Sequence, residues 1–137
     1  MTTLERSFQN DLKFGLDKEQ SVLEKLRLVF NDPTIEKTAG KFCSWDFESK
    51  GTGCKWELKS RRNTKDKYPT TIIPVHKGKD GDIYFCFGFT DGLYYIKYDR
   101  ERFSKYNVRT IKIYRTGKYD PPTDHYEIPV GDLTLIQ

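Results

Sequence analysis

The chain has no apolar run long enough to cross a bilayer, and its 137 residues include only three cysteines, one methionine and two histidines. The first absence excludes a membrane-spanning helix. The odd cysteine count argues against a disulfide scaffold. Cys43, Cys54 and Cys86 sit beside apolar residues at spacings that match no zinc motif, so buried free thiols are favoured over a Cys43–Cys54 cross-link. The opening Met-Thr-Thr-Leu-Glu-Arg is not a signal peptide. The expectation is a soluble, intracellular protein. His76 and His125 stand without partners in any catalytic or metal pattern. No nucleophile elbow and no phosphate-cradling glycine loop occurs, which removes serine-hydrolase and P-loop chemistry. There is no internal repeat and no low-complexity segment.

Aromatic residues are plentiful, at 15% with nine Tyr and nine Phe, and they supply burial that an apolar content of 36% would otherwise leave short. The length suits one domain over residues 1–137. The net charge of +4 and pI near 8.9 lean mildly toward polyanionic partners.

Apolar positions Val22, Leu23, Leu26, Val29 and Phe30 share one face of a helix expected from about Asp17 to Phe30. Gly15 and the Asp17/Gln20 pair mark its start, and Asn31-Asp32-Pro33 its end. Glu19 falls on the apolar face, whereas Glu24 lies toward the polar side. Next, Cys43, Trp45 and Phe47 alternate with Ser44, Asp46 and Glu48. Cys54, Trp56 and Leu58 alternate with Lys55, Glu57 and Lys59. Period two on both sides of a glycine-bearing turn predicts a β-hairpin. A two-residue loop at Gly51-Thr52 would set Asp46 opposite Glu57, on one face with Lys59.

Tyr68-Pro69-Thr70-Thr71 reads as the start of a short helix, with Pro69 at its first position. Asp82 to Thr90 and Leu93 to Tyr98 read as aromatic strands joined at Asp91-Gly92. Val108 to Arg115 reads as a further strand and 117–124 as a loop. Tyr126-Glu127-Ile128 and Leu133-Thr134-Leu135 are expected to close the sheet. The order of elements predicts an α/β (α+β) domain.

Two facing carboxylates repel each other unless a cation lies between them. Oxygen ligands of this kind suit magnesium, and a neighbouring lysine can orient a water or stabilise charge on phosphorus. Glu19, Asp46 and Glu57-Leu58-Lys59 resemble the core of the restriction-endonuclease-like, or PD-(D/E)xK, nucleases over roughly residues 15 to 98. The run Glu57-Leu58-Lys59-Ser60-Arg61, with Tyr68-Pro69 and Lys77, is similar to small viral and phage nucleases. Trp45 precedes Asp46 where the motif's name has proline.

That resemblance implies a central mixed β-sheet flanked by helices, with extra C-terminal strands. It implies a Mg2+- or Mn2+-dependent deoxyribonuclease. Asp46, Glu57 and the Leu58 carbonyl would hold the metal, Lys59 would assist the water, and Glu19 would complete the acidic cluster. The expected partner is DNA, with a possible homodimer and no membrane. The compartment would be the cytoplasm, or the host nucleus for a viral protein. Arg61, Arg62, Lys65 and Lys67 would meet phosphates, and Lys77 would face the site from the second helix. Tyr94, Tyr95 and Tyr98 are expected in sheet packing more than in base stacking. The alternatives are a non-catalytic nucleic-acid-binding or protein-interaction module on the same fold, and an unrelated sheet whose acids are mere surface.

Overall fold

The computed structural model describes residues 19–39, 45–79, 81–112, 114–115, 118–119 and 121–136. Helix α1 covers 19–29, and its expected cap Asp17 lies outside the described residues, as does Gly15. Asn31 ends the helix in the left-handed region at φ 48°. The Asp32 N–H returns to the Arg27 carbonyl at 3.0 Å, which satisfies one of the last helical acceptors.

Among the described residues eleven strands and a second helix follow. They are β1 (Ile35–Lys37), β2 (Phe47–Ser49), β3 (Lys55–Ser60), β4 (Thr70–Pro74), β5 (Ile83–Phe89) and β6 (Gly92–Lys97). Then come α2 (Arg100–Ser104), β7 (Asn107–Ile111), β8 (Tyr114–Arg115), β9 (Lys118–Tyr119), β10 (Thr123–Pro129) and β11 (Thr134–Leu135). The fold is mixed α and β, mostly sheet. The central sheet has the order β1-β2-β3-β5-β6-β11, with β3 and β5 parallel and every other pair antiparallel. A second, antiparallel sheet has the order β4-β10-β7.

The central strand β5 explains the layering. Its Tyr84 and Cys86 face α1, packing with Val22, Leu23, Leu26, Phe47 and Trp56. Its Phe85, Phe87 and Phe89 face the other way, onto Ile73 of β4, Ile128 of β10 and Phe103 of α2. A strand buried on both faces reads as a near-continuous apolar run, as Ile83-Tyr-Phe-Cys-Phe does. One face of the central sheet therefore carries α1 and the other carries chiefly the second sheet.

Several sequence expectations are corrected here. The helix expected at Tyr68–Thr71 is absent. Its place is taken by strand β4, flanked by 3-10 turns at Lys65–Lys67 and Val75–Lys77. Thr71 and Ile73 are buried while their neighbours are less so, a period-two pattern that overrides Pro69 as a helix start. On that side the central sheet meets the second sheet and the short α2, through Phe103, in place of the expected helix. Tyr126–Ile128 belongs to the second sheet and not to the central one. Val108–Arg115 divides into β7 and β8, and the expected loop after it contains β9 and the start of β10.

The turn that sets the register also differs in form. Ser49 N–H donates to the Cys54 carbonyl at 2.9 Å, and Gly53 N–H to the Ser49 carbonyl at 3.0 Å. The loop is therefore four residues, 50–53, with Gly53 at φ 79°, a conformation that favours glycine. Being centred on Gly51-Thr52, it sets Glu48 opposite Lys55 and Phe47 opposite Trp56. The end of α1 holds this loop in place. Asp32 Oδ2 accepts from Ser49 Oγ at 2.5 Å, and Asp32 Oδ1 accepts from Thr34 Oγ1 at 2.6 Å. Thr34 Oγ1 accepts the Gly51 N–H at 2.9 Å, and Ser49 Oγ accepts the Thr52 N–H at 3.1 Å.

Candidate active site

Phe47 pairs with Trp56 and Glu48 with Lys55, and the ladder stops there, with Asp46 in a bend just before β2. The Asp46 N–H donates to the Trp56 carbonyl at 3.0 Å, one residue off that register, so a bulge at Asp46 replaces the expected Asp46–Glu57 pairing and sends Trp45 to the second-sheet core while Phe47 packs under α1. On the other side, β5 lies parallel to β3 and places Phe85 beside Glu57 and Phe87 beside Lys59. Glu57 and Lys59 therefore stand on the face that the second sheet covers, and Asp46 lies at the β2–β3 margin.

Asp46 is aimed by backbone. Its Oδ2 accepts the Leu58 N–H at 2.7 Å, just past the end of β2. In an extended strand a residue's N–H and C=O point to the same side, so the Leu58 carbonyl is directed toward Asp46 as well. The Thr38 hydroxyl reaches over from the chain after β1 to the Trp45 carbonyl. The Thr38 N–H donates to the Asp46 carbonyl at 3.0 Å, so the Asp46 backbone is held on both sides.

Glu57 is buried at 7% exposure, unusual for a carboxylate. Two ammonium groups meet it: Lys59 Nζ at 3.5 Å from Oε1 and Lys77 Nζ at 3.7 Å from Oε2. Lys77 also lies over the Trp45 ring at 5.7 Å. Burial, followed by the neighbouring charge of Asp46, pushes the Glu57 carboxyl above its ordinary value, and Lys77 and Lys59 pull against that rise. Buried carboxyls held above their usual range cluster at functional sites.

The other expected site residues are less concentrated. Glu19 does not join the acids as expected, because its Oε2 pairs with Lys37 Nζ at 2.5 Å on the edge strand β1. Among the described residues no group of three or more His, Cys, Asp or Glu is placed to hold a metal ion. Lys77 reaches the site, but from a 3-10 turn instead of the expected helix. Arg61 is a tether: its Nη2 donates to the Ile72 carbonyl at 2.8 Å, its Nε to Thr71 Oγ1 at 3.3 Å, and burial lowers its pKa. Arg62 is exposed, as is Lys67, whose Nζ lies 5.6 Å from the Tyr68 ring centroid. Lys65 Nζ lies 3.5 Å from Asp66 and 5.2 Å from the Tyr94 ring centroid. Tyr94 and Tyr98 pack against the second-sheet core and Tyr95 against the α1 core. His125 is buried with Nδ1 2.9 Å from the Thr123 carbonyl, and Cys54 and Cys86 are free thiols; Cys43 lies outside the described residues.

Trp45 and Thr38, which frame the acids, carried no sequence signal for that role. Lys77 was expected to face the site from a second helix, and it does so from a 3-10 turn, because the chain between β3 and β5 follows a strand instead. Comparison with protein-family models, with curated proteins and with solved structures finds no match to this chain. No helix among the described residues is long and apolar enough to cross a membrane.

Proposed function

We propose that this chain is a metal-dependent nuclease that hydrolyses DNA phosphodiester bonds. The observation that carries the reading is Asp46 bound at 2.7 Å to the N–H of Leu58, next to Glu57 and near enough for its charge to raise the Glu57 carboxyl, with Lys59 3.5 Å from Glu57. Two carboxylates and a backbone carbonyl on the same side form a hard-oxygen donor set, the type that magnesium or manganese takes while keeping positions for water and phosphate. Lys59 and Lys77 supply the positive charge that such a set attracts. Asp46, Glu57 and the Leu58 carbonyl would hold the ion. Glu19 is left out of that set because Lys37 engages it. A bound divalent ion lowers the pKa of its water and shields charge developing at phosphorus. Lys59 would donate hydrogen bonds to the attacking water or to the phosphoryl oxygens. Trp45 and the Phe85 side of the sheet would keep bulk water away from Glu57.

The path of the chain adds support. A helix, a hairpin bearing Asp and Glu-x-Lys, and a strand parallel to the second hairpin strand occur in the order that the restriction-endonuclease-like resemblance implies. A strand stands where that resemblance would have a helix. A second reading, a non-catalytic nucleic-acid-binding module on the same architecture, is favoured by Glu57 already having two lysine partners.

The test is cleavage of plasmid and single-stranded DNA with magnesium or manganese, comparing wild type with Asp46→Ala and Lys59→Ala. The expected result is cleavage that needs the metal and falls by about 10²–10⁴-fold in either variant. Metal-dependent cleavage surviving both substitutions overturns the site. Binding without any cleavage favours the second reading.

A further inference from the structure

Beyond the acids, β3 runs into a cleft of about 610 Å³ where the ends of β3 and β5 meet the second sheet. Arg61, Lys65 and Arg109 line it, with Tyr68, Phe89 and Glu127. Arg61 follows Glu57 and Lys59 at every second position of the strand, so its Cα lies roughly 13 Å from that of Glu57 on the same side. Its guanidinium is already fixed by Thr71 and Ile72, a positive charge that loses little freedom when a ligand arrives. Tyr68 is 54% exposed, with the Lys67 ammonium 5.6 Å from its ring centroid. A base can lie on the other face. Arg109 pairs at 3.5 Å with Glu127, which itself lines the cleft, whereas the Asp66 carboxylate 3.5 Å from Lys65 is exposed and outside the lining, so Arg61 and Lys65 form the anion-facing side.

We infer that this cleft holds a single strand of nucleic acid, with a base stacked on Tyr68 and the adjoining phosphates against Lys65 and Arg61. The inference rests on the nuclease reading in taking nucleic acid as the ligand, and it adds the form of that ligand. The space suits one or two unpaired nucleotides. A duplex keeps its bases paired and stacked within the helix, so none is free to lie on Tyr68. Aromatic stacking with a basic rim is how unpaired strands are gripped without regard to sequence.

The experiment is fluorescence anisotropy in EDTA, so that binding is read apart from cleavage. The probes are a short labelled single-stranded DNA, an RNA of the same sequence, and the DNA annealed to its complement. Single strands should bind more tightly than the duplex, and the DNA and RNA arms identify which sugar is preferred. Tyr68→Ala should weaken single-strand binding about tenfold, the size of one lost stack, and Tyr68→Phe should keep it. Lys65→Ala should lower the slope of log affinity against log salt by about 0.7, the value for one lost single-strand phosphate contact. Duplex binding as tight as single-strand binding, or wild-type affinity in both Tyr68→Ala and Lys65→Ala, overturns the inference. Failure of the nuclease reading looks different: these binding effects would persist while magnesium brings no cleavage.

Discussion

Lys77 Nζ lies 3.7 Å from Glu57 Oε2, on the opposite oxygen from the one that Lys59 approaches at 3.5 Å. The two lysines reach Glu57 differently, Lys59 from two residues along β3 and Lys77 from the turn after β4. Both hold the carboxyl in its charged form against burial and Asp46. Lys77→Ala removes one of the two opposing influences, so Glu57 should keep its proton to higher pH. Metal binding needs the ionised carboxylate. The acid limb of the pH profile for DNA cleavage should therefore move upward in Lys77→Ala and return in Lys77→Arg. An unmoved limb would mean that Lys77 does not tune Glu57.

Glu57 also makes a prediction about stability. Its folded pKa is raised above the ordinary 4.5, so the folded chain binds this proton more tightly than the unfolded chain does. Stability from this group is full below 4.5 and is lost as pH rises through the folded value. Glu57→Gln should therefore melt higher than wild type at pH 7, with the gain fading as pH falls toward 4.5. Thermal melts across that range check it, and a variant that melts lower at pH 7 contradicts it.

The register of the site depends on the loop at 50–53, and that loop depends on Ser49. This serine is 1% exposed, donates to Asp32 and accepts from Thr52. Ser49→Ala should cost about 1–2 kcal/mol in urea unfolding at pH 7. The hydrogen bond from Ser49 is the largest cause holding the Asp32 carboxyl below its ordinary 3.8. Its stabilisation is present above that value and lost as pH falls through the lower folded value. The gap between Ser49→Ala and wild type should accordingly narrow in strong acid.

Glu19 distinguishes a three-acid site from a two-acid one. Its ion pair with Lys37 is substantially exposed, with side chains at 33% and 47%. Such pairs contribute at most about 1 kcal/mol. Glu19→Gln should leave metal-dependent cleavage within a few-fold of wild type and barely change the melting temperature. A loss as deep as that in Asp46→Ala would return Glu19 to the metal set.

The site was legible in the sequence to the extent that it is local. Period-two alternation placed Glu57 and Lys59 on one face, and a loop centred on Gly51-Thr52 set Phe47 opposite Trp56, but the bulge at Asp46 left no sequence signal. Glu19 was misjudged because an acid on an apolar stripe says nothing about its partner, and Lys37 comes from a strand too short to stand out. The second sheet was missed for a related reason. Thr70–Pro74 carries β-branched residues at strand spacing, but its partner β10 lies some fifty residues on, and no local signal links them. Pro69, permitted at a helix start and equally before a strand, could not decide between them.

The parallel pairing of β3 with β5 bears on how the protein folds. The β2–β3 hairpin closes a four-residue loop, fast and at little entropic cost. Ile83–Phe89 can dock on Lys55–Ser60 only after the intervening chain has returned across the sheet, carrying Lys77 with it. Asp46 and Glu57 can thus be neighbours early, as a repelling pair open to water. Their burial and their second lysine arrive together with the long-range contact. Refolding followed by Trp45 and Trp56 fluorescence should then show the hairpin's environment forming ahead of the Glu57 pocket, with the slower step governed by non-local pairing.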